Sequence, residues 1–202
     1  MASILTNLKA TVIAGFVLTL IMFVIVRLII GSGMTLDHNW FAFFFRWLHV
    51  LSGMMWVGLL YYFNFVQIPS MPNIPDDQKP AVAKVIAPTA LFWFRWAAMA
   101  TIVTGLILAA MNGYLFDAIV LGISDGGAST PIGIGMWLGT IMWFNVWFVI
   151  WPAQQKALGM VEVDADEKAK AARRAMLFSR KNTMLSVPML FCMVAAQNGG
   201  FV

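Results

Sequence analysis

Apolar residues gather in five long runs along this chain, at about 9–30, 41–67, 90–111, 132–151 and 176–197, and the polar residues fall between them or near their ends. Each run is about 20 residues or longer, the length that an α-helix needs to cross a bilayer. The second run is the most informative. As a helix it reaches about 40 Å at 1.5 Å per residue, more than the ~30 Å hydrocarbon core, so it spans and still projects at both ends. Arg46, His49, Gly53, Trp56, Leu60, Asn64 and Gln67 follow one another by three or four residues and share one helical stripe. Ionisable and amide groups facing lipid are costly, so the stripe is expected to face protein.

The segments between the runs read differently from one another. The first run opens on Lys9 and carries one further charge, Arg27, near its end; it is longer than the apolar part of a signal peptide and reads as a retained span. A short connection at 31–40 carries Asp37 and His38. Between 67 and 89 the chain has Pro69, Pro72, Pro75, Pro80 and Pro88, too many for one regular helix, and reads as a loop outside the membrane with a short helix near 79–86. The stretch 112–131, with Asp117, Asp125 and Gly126-Gly127, fits an interfacial helix and a turn. Residues 153–174 are hydrophilic and read as a helix with a basic end, suited to lie on anionic lipid or a partner. Pro188 is expected to kink the last span.

Composition agrees with a membrane protein: 61% of residues are hydrophobic and 11% charged, against about a quarter charged in soluble domains. The net charge of +4 invites a nucleic-acid reading, but the position of the charges decides against one. With five spans, every one of the 13 Lys and Arg except Arg27 and Arg46 falls on the same side of the membrane. By the positive-inside rule that side is cytoplasmic. The expected fold is therefore an all-α integral membrane protein of one domain, residues 1–202, in a bacterial inner membrane. Its five transmembrane helices leave the N-terminus cytoplasmic and the C-terminus periplasmic. The single cysteine, Cys192, rules out an internal disulfide or a cysteine-based metal cluster. No phosphate-binding glycine loop and no GxSxG elbow occurs.

His49 is the sharpest site candidate, since an imidazole inside the membrane is a common axial ligand of haem b, and Ser52 and Gly53 beside it are small enough to admit a flat macrocycle. Its plainer reading is a neutral histidine hydrogen-bonded to a neighbouring helix. His38 is a second iron ligand only if the connection folds inward, and is otherwise a solvated loop residue. Arg46, on the His49 stripe, suits a haem propionate, because guanidinium binds carboxylates in bidentate fashion; Arg95 is the other such cation, and snorkelling to headgroups explains both equally. Asn64, Asn145 and Asn182 read first as helix-to-helix hydrogen bonds, and Gly135 and Gly139 as a small-xxx-small pair that lets another helix approach. The tryptophans near span ends form an interfacial belt, and the methionines fill packing gaps.

Four blocks carry a family resemblance: RWLHVLSGMMWVGLLYYFNFVQIPSMP (46–72), FRWAAMATIVTG (94–105), FNVWFVIWPAQQK (144–156) and SRKNTMLSVPMLFCM (179–193). Together they are similar to the membrane domain of bacterial urate hydroxylase, the urate oxidase N-terminal family. The resemblance implies oxidation of urate or a related small molecule, with electrons leaving through haem to a cytochrome c. The sequence ends at Val202 without a CxxCH haem attachment site. The expectation is thus a short form, and a cytochrome c partner would be a separate chain.

Two readings stand at this point. One is a membrane-bound oxidoreductase subunit with haem b on His49 and no residue yet assigned to catalysis. The other is a non-catalytic accessory or scaffold subunit of a larger membrane complex, docked through the Gly135/Gly139 face. Either implies membrane lipid, an oligomer or hetero-complex, and no nucleic acid. A transporter is a third possibility, disfavoured by the odd span count and the lack of an internal repeat.

Overall fold

A computed structural model describes residues 2–31 and 36–200, and every regular element among them is helical. Residues 32–35 of the expected connection lie outside the described residues. Among the described residues, four helices are long and apolar enough to cross a membrane: α1 (Leu8–Ile30), α2 (His38–Asn73), α3 (Lys79–Met111) and α4 (Thr130–Ala157). A fifth helix, α5 (Ala165–Asn198), contains the last expected span but is not among those four. Its apolar part is bracketed by Arg180, Lys181 and Asn182 on one side and Gln197 and Asn198 on the other.

The chain divides into two compact units, residues 1–41 and 42–202. In the first, Asn7 caps α1 by accepting a hydrogen bond from the Ala10 amide, and Gly31 closes it in the left-handed conformation. No residue of α1 is buried. Asp37 accepts the Trp40 amide at 2.9 Å and so caps the start of α2.

In the second unit, α2 to α5 meet in one core built on Trp56, Leu60, Phe94, Ala98, Met142 and Met189. The polar stripe is the packed side of α2: Trp56, Leu60 and Asn64 are buried, while Arg46 near the other end is exposed. α5 lies along α4. At Gly135 a Cβ would meet Cys192 Cβ and Met193 Cε at 3.3 Å each, so the glycine sets how closely the two helices approach.

The proline-rich segment is more helical than its composition suggests. α2 runs on to Asn73, and α3 begins at Lys79. Three π-helical segments, Tyr62–Gln67, Val82–Ile86 and Asn145–Ile150, explain how. Each ends two residues before a proline: Pro69, Pro88 and Pro152. A proline inside a helix removes an amide donor and pushes against the carbonyl four residues earlier. Widening the preceding turn to π geometry relieves that clash, and the helix continues.

Candidate functional site

His49 is held against α3. Its Nδ1 is 2.9 Å from the Thr101 carbonyl oxygen, and because a carbonyl only accepts, Nδ1 is the protonated nitrogen. A neutral imidazole in that tautomer carries its free lone pair on Nε2. Thr104 Oγ1 stands 3.3 Å from Nδ1, with its own proton donated to the Ala100 carbonyl at 2.6 Å. The ring lies directly over Gly105, where a Cβ would come within 2.8 Å of His49 Cε1. Any side chain there would displace the imidazole, so glycine is the residue that lets it dock.

The surrounding residues divide by role. Ser52 turns its hydroxyl back to the Leu48 carbonyl at 2.8 Å, which leaves Gly53 as the small position facing α3. A Cβ at Gly53 would meet Thr101 Cγ2 at 3.9 Å, an ordinary contact. Arg46, one turn from His49 on α2, lies near Tyr114 in the connection after α3. Burial pushes the Tyr114 phenol above its usual pKa, and the Arg46 charge pulls it partly back. His38 is the first residue of α2.

Arg95 belongs to a different environment. It lies about four helical turns into α3, and its guanidinium stacks on Trp151 at 3.8 Å and Trp147 at 5.1 Å from the ring centroids. These are cation-π contacts between α3 and α4.

The amides near the other end of the bundle form a clasp. Asn145 Nδ2 donates to Asn182 Oδ1 at 2.8 Å, and Asn182 Nδ2 donates to the Met142 carbonyl at 2.9 Å, which ties α4 to α5 twice. Asn64 Nδ2 donates to Ser179 Oγ at 2.7 Å. Ser186 gives its own proton to Thr183 O, so Tyr61 donates to Ser186 across 2.9 Å. Asn182 and Ser186 are fully buried. Unpaired polar groups at these positions would be costly.

Sequence reasoning singled out His49, Arg46 and Gly53 but missed Thr101, Thr104 and Tyr114. A backbone carbonyl acceptor such as that of Thr101 has no sequence signature. The pattern T-x-x-T-G at 101–105 marks the small, weakly polar face opposite the histidine, and is the signal available. Gly135 is covered by Cys192 and Met193 of the same chain, so this position is not open to a separate helix.

No curated protein and no solved structure matches the chain. Residues 122–200, which hold α4, α5 and the Asn145–Asn182 clasp, match the model of the family described as urate oxidase N-terminal, and over this stretch the chain is similar to that family.

Proposed function

We propose that this chain is the membrane subunit of a urate hydroxylase-like oxidoreductase in a bacterial inner membrane, holding haem b on His49. In this reading it crosses the membrane five times, with the N-terminus cytoplasmic and the C-terminus periplasmic. It takes electrons from urate or a related small molecule and delivers them to a cytochrome c within an oligomer or hetero-complex.

One observation carries the proposal: His49 donates through Nδ1 to the Thr101 carbonyl at 2.9 Å, which leaves Nε2 as a lone-pair donor. Metal-bound histidines characteristically use their second nitrogen this way, because the outer hydrogen bond fixes the tautomer and ring orientation and raises the basicity of the ligating nitrogen. Gly105 seats the ring, Gly53 lets α3 and Thr101 come close to it, and Arg46 supplies a cation one turn away for a carboxylate. Haem bound there would supply a one-electron carrier inside the membrane. The family match at 122–200 supports the link to urate chemistry, although His49, Thr101 and Gly105 lie outside the matched stretch. An accessory subunit docking through Gly135 and Gly139 finds Gly135 already covered by α5.

The test is electron delivery. Haem-replete membranes containing the wild-type chain should reduce an added c-type cytochrome when given urate, and His49→Ala should abolish that reduction. Wild-type protein that binds haem yet shows no urate-dependent reduction would remove the redox assignment.

A further inference from the structure

We infer that the junction of α4 and α5 is a binding site for an anionic phospholipid, with the phosphate held by Lys170 and Arg174 and an acyl chain along Phe148 and Val149. The observation is a groove of about 230 Å³ where the end of α4 meets the start of α5. Its polar wall is made by Lys156, Glu167, Lys170 and Arg174, so three cations face one carboxylate. Glu167 is engaged by Lys156 at 2.8 Å. Neither Lys170 nor Arg174 forms an ion pair among the described residues. They stand four apart on α5 and therefore on the same face as the groove. Glu167 also feels the Lys170 charge, but with Lys156 already on that carboxylate the groove keeps an excess of positive charge. Two cations side by side suit a phosphodiester, which Arg binds in bidentate fashion and Lys as a point charge.

The rest of the lining selects among anions. Phe148, Val149 and Pro152 form the apolar side, and they belong to α4, one of the helices apolar enough to cross a membrane. Phe148 is 57% exposed. The groove thus runs from membrane-crossing helix into the hydrophilic start of α5, a transition that also occurs within one phospholipid molecule. A soluble anion would use the charged half alone. This inference is independent of the redox reading, since it uses none of the residues around His49.

The test compares two lipids with identical acyl chains, phosphatidylglycerol and phosphatidylcholine, for binding to the full chain in neutral detergent by native mass spectrometry. Wild type should retain phosphatidylglycerol more tightly. Removing a cation should weaken that binding by about fivefold each, the equivalent of ~1 kcal/mol per basic residue near an anionic headgroup. Lys170→Gln with Arg174→Gln should therefore bring phosphatidylglycerol close to the level of phosphatidylcholine. Lys84→Gln with Lys168→Gln, which removes the same charge outside the groove, should leave it unchanged. Both groove cations are exposed, and the charge-preserving exchange Lys170→Arg with Arg174→Lys should retain the preference. Equal retention of the two lipids by wild type, or an unaffected Gln pair, would overturn the site. Displacement of phosphatidylglycerol by inorganic phosphate at equal concentration would assign the groove to a soluble anion and overturn the lipid.

Discussion

At residue scale the site depends on a hydrogen atom at position 105. The imidazole of His49 occupies the space that any Cβ at Gly105 would need, and the bond to Thr101 prevents it from swinging away without loss. Gly105→Ala is expected to break that bond and destabilise the protein by about 1–3 kcal/mol, the usual range for overpacking. Gly58→Ala is the control: nothing lies within 4 Å of its Cβ position, so replacing a mid-helix glycine there should stabilise by about 0.5–1 kcal/mol. Thermal unfolding in detergent, run on both variants, checks the pair. Asn182→Ala removes two bonds between α4 and α5. At roughly 0.6–1.7 kcal/mol for an interhelical hydrogen bond in a membrane, the loss should be about 1–3 kcal/mol. His49 was legible because a lone imidazole stands out in an apolar run. Its docking surface was not, because it consists of a backbone carbonyl and an absent side chain.

The helices themselves show where composition misleads. Five prolines between 67 and 89 suggest a loop, yet π-helical turns before Pro69 and Pro88 let helical structure continue on both sides of the short break. A sequence shows that proline removes a donor; it does not show that the preceding turn can widen to absorb the loss. The hydrophilic stretch 153–174 was legible as polar from its charge but not as a separate helix. α4 runs to Ala157, helical structure breaks at 158–164, and the rest is the start of α5, continuous with the last apolar run. There Lys156 reaches Glu167 by a hydrogen bond at 2.8 Å, and that bond, with the Lys156 charge, holds the Glu167 carboxyl below the usual glutamate pKa. A carboxylate with a depressed folded pKa stabilises above its unfolded value, and the contribution disappears as pH falls through the folded value. The contact between the end of α4 and the start of α5 should thus persist below the ordinary glutamate range and release at more acid pH. NMR titration of the Glu167 carboxyl checks this. A midpoint at or above the ordinary glutamate value would contradict it, and Lys156→Gln should raise the midpoint toward that value.

For the whole molecule, the long apolar runs and the small share of charged residues made the membrane class readable from sequence alone. Among the described residues, four helices meet the length and hydropathy needed to span. The apolar half of α5 is shorter, and polar residues at both its ends blur the signal. The proposed five-span topology makes a prediction about sidedness. With Cys192 replaced by Ala, Ile123→Cys should react with a membrane-impermeant thiol reagent in intact spheroplasts, and Lys168→Cys only after lysis. Ile123 is 85% exposed, so lack of labelling would not reflect burial. The opposite pattern would invert the topology.

The most direct measurement of the central claim is a reduced-minus-oxidised absorption spectrum of the purified protein, supplied with haem in detergent, for wild type beside His49→Ala and Gly105→Ala. The account predicts a b-type signal in wild type that is lost in His49→Ala and weakened in Gly105→Ala, where the ligand is displaced but still present. A well-folded wild type without that signal, or one whose signal survives in His49→Ala, would contradict it.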